Sequence, residues 1–360
     1  MIPYRAVRSN IEFAKTVLPQ LNNTSRVVAM LPTAHMYGLM FEVLYELTVG
    51  CHVFFLSRLP SPKIIMQALS EVKPTLVVAV PLIIEKIYKS KVKPVLEKAG
   101  IRFAMRLPIL EQVIMNKIKT ELVNAFGGEF YEVIIGGAAF NKEVEAFFKR
   151  MEFPFTVGYG MTECAPIITY DDYKTAKLYS CGRIVPNMEM KIDSRDPQNV
   201  PGELLVRGAN VFLGYYKNEE ATKEVLDADG WLHTGDMGVI DADGYLFLRG
   251  RSKCMILGPS GQNIYPEEVE AVLDTRPYVL ESLVIEDNGG LTALIYPDFD
   301  LAAKEGMNQA AFIKYIEDTL PEVNKELPNY AKLKKIEVMS EAFERTPKKS
   351  IKRYLYQRNN

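Results

Sequence analysis

Apolar and polar positions follow two different rhythms along this chain, and the change of rhythm divides it. From residue 26 to about 150, short β-branched and aromatic runs alternate with stretches of helical spacing. Residues 26–31, 52–56, 75–80 and 131–135 read as strands. Residues 39–49, a segment capped by Ser61-Pro62 and running to about Val72, residues 82–90, and residues 142–150 behind Asn141 read as helices. Residues 101–126 are largely helical too, kinked or broken at Pro108 and stopped by Gly127-Gly128. This is βαβ rhythm, which predicts a mostly parallel sheet with helices on its faces.

Around residue 170 the character changes. Between Cys181 and Arg251 the helical period disappears, and short strands at 188–192, 202–207 and 244–249 are separated by Gly, Pro, Asn and Asp. Beyond Arg251 the pattern is mixed again. Pro266-Glu267-Glu268 opens a helix with acidic residues in its first turn, and residues 283–286 and 291–296 flank Asp287-Asn288-Gly289-Gly290, a strong hairpin signal. The expected fold class is therefore α/β: a layered parallel sheet with helices and a small β-rich subdomain, then a small α+β C-terminal domain. The domain boundaries fall at 1–250, with the β-rich part at about 177–250, and at 251–360.

Composition narrows the classes. With 360 residues the chain can bury a full core, and 48% hydrophobic and 24% charged residues are globular values. A net charge of -2 gives no global pull toward nucleic acid, so no nucleic-acid partner is expected. The longest apolar run, residues 76–84, is too short to span a bilayer and contains Pro81. No transmembrane segment is expected, which leaves peripheral membrane contact open. The N-terminus has no apolar core of signal-peptide type, and Cys51, Cys164, Cys181 and Cys254 have no CxxC or Cys/His spacing. A cytoplasmic location with unpaired thiols follows.

Polar chemistry sits where a core would not want it. Phe155-Thr156-Val157 feeds Gly158-Tyr159-Gly160-Met161-Thr162-Glu163. The glycines admit a ligand close to the backbone, Tyr159 offers a flat face, Thr162 a hydroxyl for a phosphate oxygen, and Glu163 a carboxylate for Mg²⁺; the same residues also suit an ordinary tight turn. His35 and Tyr37 lie on a loop after a strand, where His35 is either packed or functional. Gly136-Gly137-Ala138 admits a flat base or simply makes a βα turn. Asp236 stands in Gly230-Trp231-Leu232-His233-Thr234-Gly235-Asp236-Met237-Gly238, suited to accepting ribose hydroxyls. Gly250-Arg251-Ser252-Lys253 leads into Gly258-Pro259-Ser260-Gly261-Gln262-Asn263-Ile264-Tyr265-Pro266-Glu267-Glu268.

In order and spacing these segments resemble the acyl-adenylate-forming superfamily of AMP-binding enzymes, and within it most of all the long-chain fatty-acid CoA ligases. The resemblance covers nearly the whole chain. It implies an ATP- and Mg²⁺-dependent acid–thiol ligase in which a fatty-acid carboxylate attacks the α-phosphate of ATP, and coenzyme A then takes the acyl group from acyl-AMP. It also implies roles: Gly136, Gly137, Ala138 and Tyr159 at adenine, Gly160 in nucleotide binding, Asp236 and Arg251 at ribose, Thr162 and Glu163 at phosphate and metal. His35 would lie near the acyl carboxylate, and Lys253 would be the hinge on which the C-terminal domain turns.

Two departures stand against the family pattern. Its phosphate-binding loop, ending in Lys-Gly, belongs just upstream of a segment like Met1-Ile2-Pro3-Tyr4-Arg5-Ala6 and is absent, with most of the first N-terminal subdomain. The expectation is an N-terminally truncated chain that is inactive alone. In Arg345-Thr346-Pro347-Lys348-Lys349-Ser350-Ile351-Lys352-Arg353, the family's catalytic lysine position is Ser350, so Lys349 or Lys348 would have to substitute, unless the run is a solvated basic tail. The alternatives are a non-catalytic nucleotide-binding or interaction protein, and an adenylate-former for another carboxylate or a carrier protein.

Overall fold

The computed structural model describes residues 1–57, 61–258, 262–345 and 351–358. Two compact units emerge. The first comprises Met1–Thr234 and Gly238–Leu248, the second Gly235–Met237 and Arg249–Asn360.

The first unit is built on parallel strands. Val77–Ala79, Val133–Ile135 and Phe155–Val157 form a three-stranded sheet in that order, with Val77 opposite Val133 and Val133 opposite Phe155. Arg26–Ala29 pairs in parallel with His52–Phe55, and a bridge from Val27 to Leu76 joins it to the next strand. Each parallel step needs a crossover, and helices such as Pro62–Val72 and Lys142–Arg150 supply them. The inner strands are nearly continuous apolar runs because helices cover both faces. Alternation divides their side chains between two cores: Val78 and Ile134 enter one, while Val77, Ala79, Val133 and Ile135 enter the other.

Local signals placed these elements. Asn141 accepts hydrogen bonds from the amides of Glu143 (3.0 Å) and Val144 (3.1 Å), starting Lys142–Arg150. Pro108 separates Ala99–Ala104 from Pro108–Ala125, and Gly127 follows with φ +98°. Tertiary packing alters others. The segment expected as one helix over 39–49 starts at Met36 and passes through a π-helical turn at Met40–Leu44. That turn carries Glu42, whose carboxylate accepts the amides of Met30 (3.1 Å) and Leu31 (2.8 Å) beyond a strand end.

Several helices have no counterpart in the sequence expectations, among them two that frame the first unit. Tyr4–Val17 buries Ala6, Asn10 and Ala14 along one face. Glu219–Val225 interrupts the region expected to lack helical periodicity: the Asn218 side chain accepts from the amide of Ala221 at 3.1 Å, and two glutamates fill the first turn. The β-rich region is otherwise a four-stranded sheet in the order 246–251, 232–240, 202–208, 188–193. Leu232–Ile240 puts Asp236 within a strand.

The second unit contains a sheet of Val279–Asp287, Gly290–Pro297 and Leu333–Val338. Asp287 pairs with Gly290, leaving Asn288 (φ +50°) and Gly289 (φ +66°) as the two-residue turn that the sequence announced. Ile295, Phe312, Ile316 and Val323 fill its core. No described helix is long and apolar enough to cross a membrane. Among the described residues no two cysteines form a disulfide.

Candidate active site

In the first unit, the chain leaves two parallel strands at Gly136 and Gly158, directly after Ile135 and Val157. Carboxyl ends of parallel strands are where α/β sheets open crevices. Here the opening is an apolar cavity of about 590 Å³, its mouth included, with Phe13, Tyr37, Phe41, Gly136, Tyr159 and Tyr170 among its walls. Two glycines at its edges are closely packed, and at Gly160 no side chain fits. A Cβ on Gly160 would come within 2.1 Å of the Pro166 carbonyl oxygen, and one on Gly136 would press on the Tyr37 ring at 3.2 Å. Tyr37 donates to the Ile134 carbonyl at 3.1 Å, and burial raises its pKa well above the ordinary tyrosine value.

Tyr170 forms another wall. Its ring meets Phe13 edge-on at 5.9 Å, and its hydroxyl donates to Glu132, a fully buried carboxylate immediately before the strand Val133–Ile135. Burial pushes Glu132 up to about 7.

The Tyr-Gly-Met-Thr-Glu motif continues from the cavity edge into a 3-10 turn, Thr162–Cys164. Glu163 Oε1 accepts from the Tyr215 hydroxyl at 2.9 Å, and its carbonyl accepts the Phe212 amide at 2.8 Å. Burial, then the bond to Glu163, raises Tyr215 to about 12. The fully buried Asn10 fastens the far side: its Nδ2 donates to the carbonyls of Ala6 (2.8 Å) and Cys164 (3.3 Å), and its Oδ1 accepts the Ile167 amide at 3.0 Å. Among the described residues no three His, Cys, Asp or Glu side chains converge as a metal cage. One hard carboxylate beside a hydroxyl still fits Mg²⁺, which keeps its waters and is commonly held by one or two carboxylates plus substrate phosphates.

In the second unit, Arg251 Nε donates to Asp236 Oδ1 at 3.1 Å. Asp236 is nearly buried and Arg251 largely exposed. Ser252 Oγ holds the Gly235 carbonyl at 3.2 Å, with Gly235 at φ +71° beside the acid. Lys253 is exposed on the turn Ser252–Cys254.

The fold thus gathers Gly136, Gly137, Tyr159 and Gly160 around one cavity and joins Asp236 to Arg251. Ala138, His35, Thr162 and Glu163 are not among the cavity walls. His35, expected on a loop, is the exposed N-cap residue of Met36–Leu39 and its side chain makes no capping bond. Lys348, Lys349 and Ser350, like Pro259, Ser260 and Gly261, lie outside the described residues. Sequence reasoning missed Asn10, Glu132, Tyr170 and Tyr215. Two left a trace: an amide between small residues at i, i+4 spacing, and an acid abutting an all-apolar strand.

Comparison with known proteins agrees with this architecture. Residues 1–216 match the family described as AMP-binding enzyme, and residues 255–359 match the AMP-binding enzyme C-terminal domain. The chain is 26% identical over 294 residues to the long-chain-fatty-acid–CoA ligase ACSBG2 of Rattus norvegicus, covering 75% of this chain and 44% of that protein. It is 28% identical over 294 residues to the long-chain-fatty-acid–CoA ligase FadD15 of Mycobacterium bovis, covering 74% and 46%. The chain thus spans less than half the length of these relatives. O-succinylbenzoate coenzyme A synthetase from Bacillus subtilis, solved with ATP and magnesium ion, superposes with a TM-score of 0.76 at 22% identity, covering 98% of this chain and 65% of that one. With both family regions matched in order and an acyl-CoA synthetase-like fold along nearly its whole length, the chain belongs to the AMP-binding enzyme family.

Proposed function

We propose that this chain serves an acid–thiol ligase that activates a long-chain fatty acid with ATP and passes the acyl group to coenzyme A. The observation that carries the reading is the cavity: hydrocarbon walls from Phe13, Val17 and Phe41 adjoin backbone at Gly136, Gly158 and Gly160, where a flat base can approach. The names of the curated relatives at 26% and 28% identity support the long-chain substrate.

In this reading a carboxylate oxygen attacks the α-phosphorus, the bond to pyrophosphate breaks, and acyl-AMP forms. The coenzyme A sulfur then attacks the acyl carbonyl and AMP departs. Gly136, Gly137, Ala138, Tyr159 and Gly160 flank adenine, while Asp236 and Arg251 hold the ribose. Thr162 would donate to phosphate, and Glu163, oriented by Tyr215, would hold Mg²⁺, which when bound would supply charge neutralisation at the phosphates. His35 serves the acyl carboxylate, Lys253 the hinge and Lys349 the adenylation step.

The test is calorimetric titration of the chain with non-hydrolysable acyl-sulfamoyladenosines of two lengths. Each buried methylene contributes about 0.8 kcal/mol, so the palmitoyl compound should bind at least about a hundred-fold tighter than the acetyl one. Equal affinities would remove the long-chain assignment, and failure of both to bind would remove the nucleotide site.

A further inference from the structure

One wall of the cavity is held by a group that does not itself line it. Tyr170 is part of the wall, and its hydroxyl donates to Glu132, which is fully buried and not among the lining residues. Burying a carboxylate opposes folding, and an apolar residue ahead of the all-apolar strand Val133–Ile135 would avoid that cost. The steps proposed above make no use of Glu132.

What Glu132 does is tie down the far end of a side chain whose near end is already fixed. Tyr170 closes the strand Ile167–Tyr170 and pairs with Arg183, and Gly182 packs so tightly that a Cβ there would come within 2.4 Å of the Tyr170 carbonyl carbon. Glu132 in turn is anchored to the parallel sheet, where its carbonyl accepts the Val77 amide at 3.2 Å. A tyrosine side chain turns about only two bonds, so tying backbone and hydroxyl together leaves the ring one orientation. In that orientation the ring lies against Gly158, with Cδ2 4.0 Å from the place of a Cβ, and meets Phe13 edge-on at 5.9 Å. The other aromatic walls differ. Phe41 has no polar atom to tether, and Tyr37 bonds a backbone carbonyl.

We infer that Glu132 is a positioning residue for acyl-chain length: by fixing the Tyr170 hydroxyl it makes the ring a rigid stop against a chain extending through the cavity. The inference rests on the acyl-adenylate reading proposed above. A ring free to turn yields to an added methylene, whereas a ring tied at both ends does not, and forcing extra carbon against it is unfavourable. The gain in affinity with each methylene therefore ends at a definite length.

The experiment titrates the full 360-residue chain and three variants with acyl-sulfamoyladenosines from butanoyl to octadecanoyl. Wild-type affinity should rise about four-fold with each methylene and then level off at one chain length. Glu132→Leu removes the acceptor, and Tyr170→Phe removes only the donor. Each should move that limit to longer chains, so that the first compound past the wild-type limit gains about four-fold over its shorter neighbour. Glu132→Gln keeps an oxygen that accepts from the hydroxyl and should retain the wild-type limit. A merely structural role would lower affinity at every length by one factor and leave the limit in place; that result in Glu132→Leu and Tyr170→Phe overturns the inference. So does a limit in Glu132→Gln that shifts as far as in Glu132→Leu, because the accepting oxygen would then be irrelevant. A wild-type limit that no variant moves removes this inference alone. Wild-type affinity independent of length, or no binding at all, removes the proposed function and this inference with it.

Discussion

Asn10 Oδ1 accepts the amide of Ile167 at 3.0 Å, tying the middle of the N-terminal helix to a strand 157 residues further along the chain. The same side chain donates to Cys164, so one amide secures both sides of the bend that follows Thr162 and Glu163. Asn10→Leu keeps the branching of the side chain but strands the Ile167 amide and the Cys164 carbonyl in a buried site. A buried polar group left without its partner costs about 1–3 kcal/mol, so the variant should lose roughly 2–4 kcal/mol of unfolding free energy. Urea denaturation checks this, and a loss below about 0.5 kcal/mol would show that the bend holds itself.

The Tyr215 hydroxyl holds one oxygen of Glu163 at 2.9 Å. If Glu163 serves the metal, Tyr215→Phe should weaken Mg²⁺-dependent ATP binding about ten-fold, the worth of one hydrogen bond to a charge, while leaving AMP binding without metal unchanged. Titrations with and without Mg²⁺ separate the two. A uniform loss in both would mean that Tyr215 supports the fold rather than the carboxylate.

Asp236 is nearly buried and receives Arg251 at 3.1 Å. Replacing it with Ala removes the acceptor proposed for the ribose. AMP affinity should fall roughly ten- to hundred-fold by calorimetry. Wild-type affinity in Asp236→Ala would place the ribose elsewhere.

Glu42 and Glu46 are both buried in the first unit, and burial raises them to about 7 and about 8 from an ordinary 4.5. Neither oxygen of Glu46 has a hydrogen-bond partner beyond its own residue. A carboxyl whose folded pKa is raised holds its proton more tightly in the folded state. Its contribution is therefore complete below about 4.5 and lost as pH rises through about 8. Unfolding free energy should decline between these limits, and Glu46→Gln should flatten the decline by up to about 1.4 kcal/mol per pH unit, the slope of one proton. Chemical denaturation at a series of pH values measures it, and parallel curves for the two proteins would remove Glu46 as the source.

Much was legible from short stretches. The Asn141 cap, the Asn288-Gly289 turn, the break at Pro108 and the strand Phe155–Val157 depend on interactions within a few residues, so neighbouring side chains suffice to determine them. The family resemblance was legible for a related reason: Tyr-Gly-Met-Thr-Glu and Gly-Trp-Leu-His-Thr-Gly-Asp keep their chemistry in contiguous runs. The helix Tyr4–Val17 escaped because its buried face centres on a polar residue, and Asn10 is tolerated there only because Cys164 and Ile167 pair with it. Tyr170 meeting Glu132, Tyr37 meeting Ile134, and Tyr215 meeting Glu163 join residues 38, 97 and 52 positions apart. No local propensity encodes such pairs. They exist because packing two cores against one parallel sheet brings those side chains together, and burial then makes every polar group among them find a partner or shift its proton affinity.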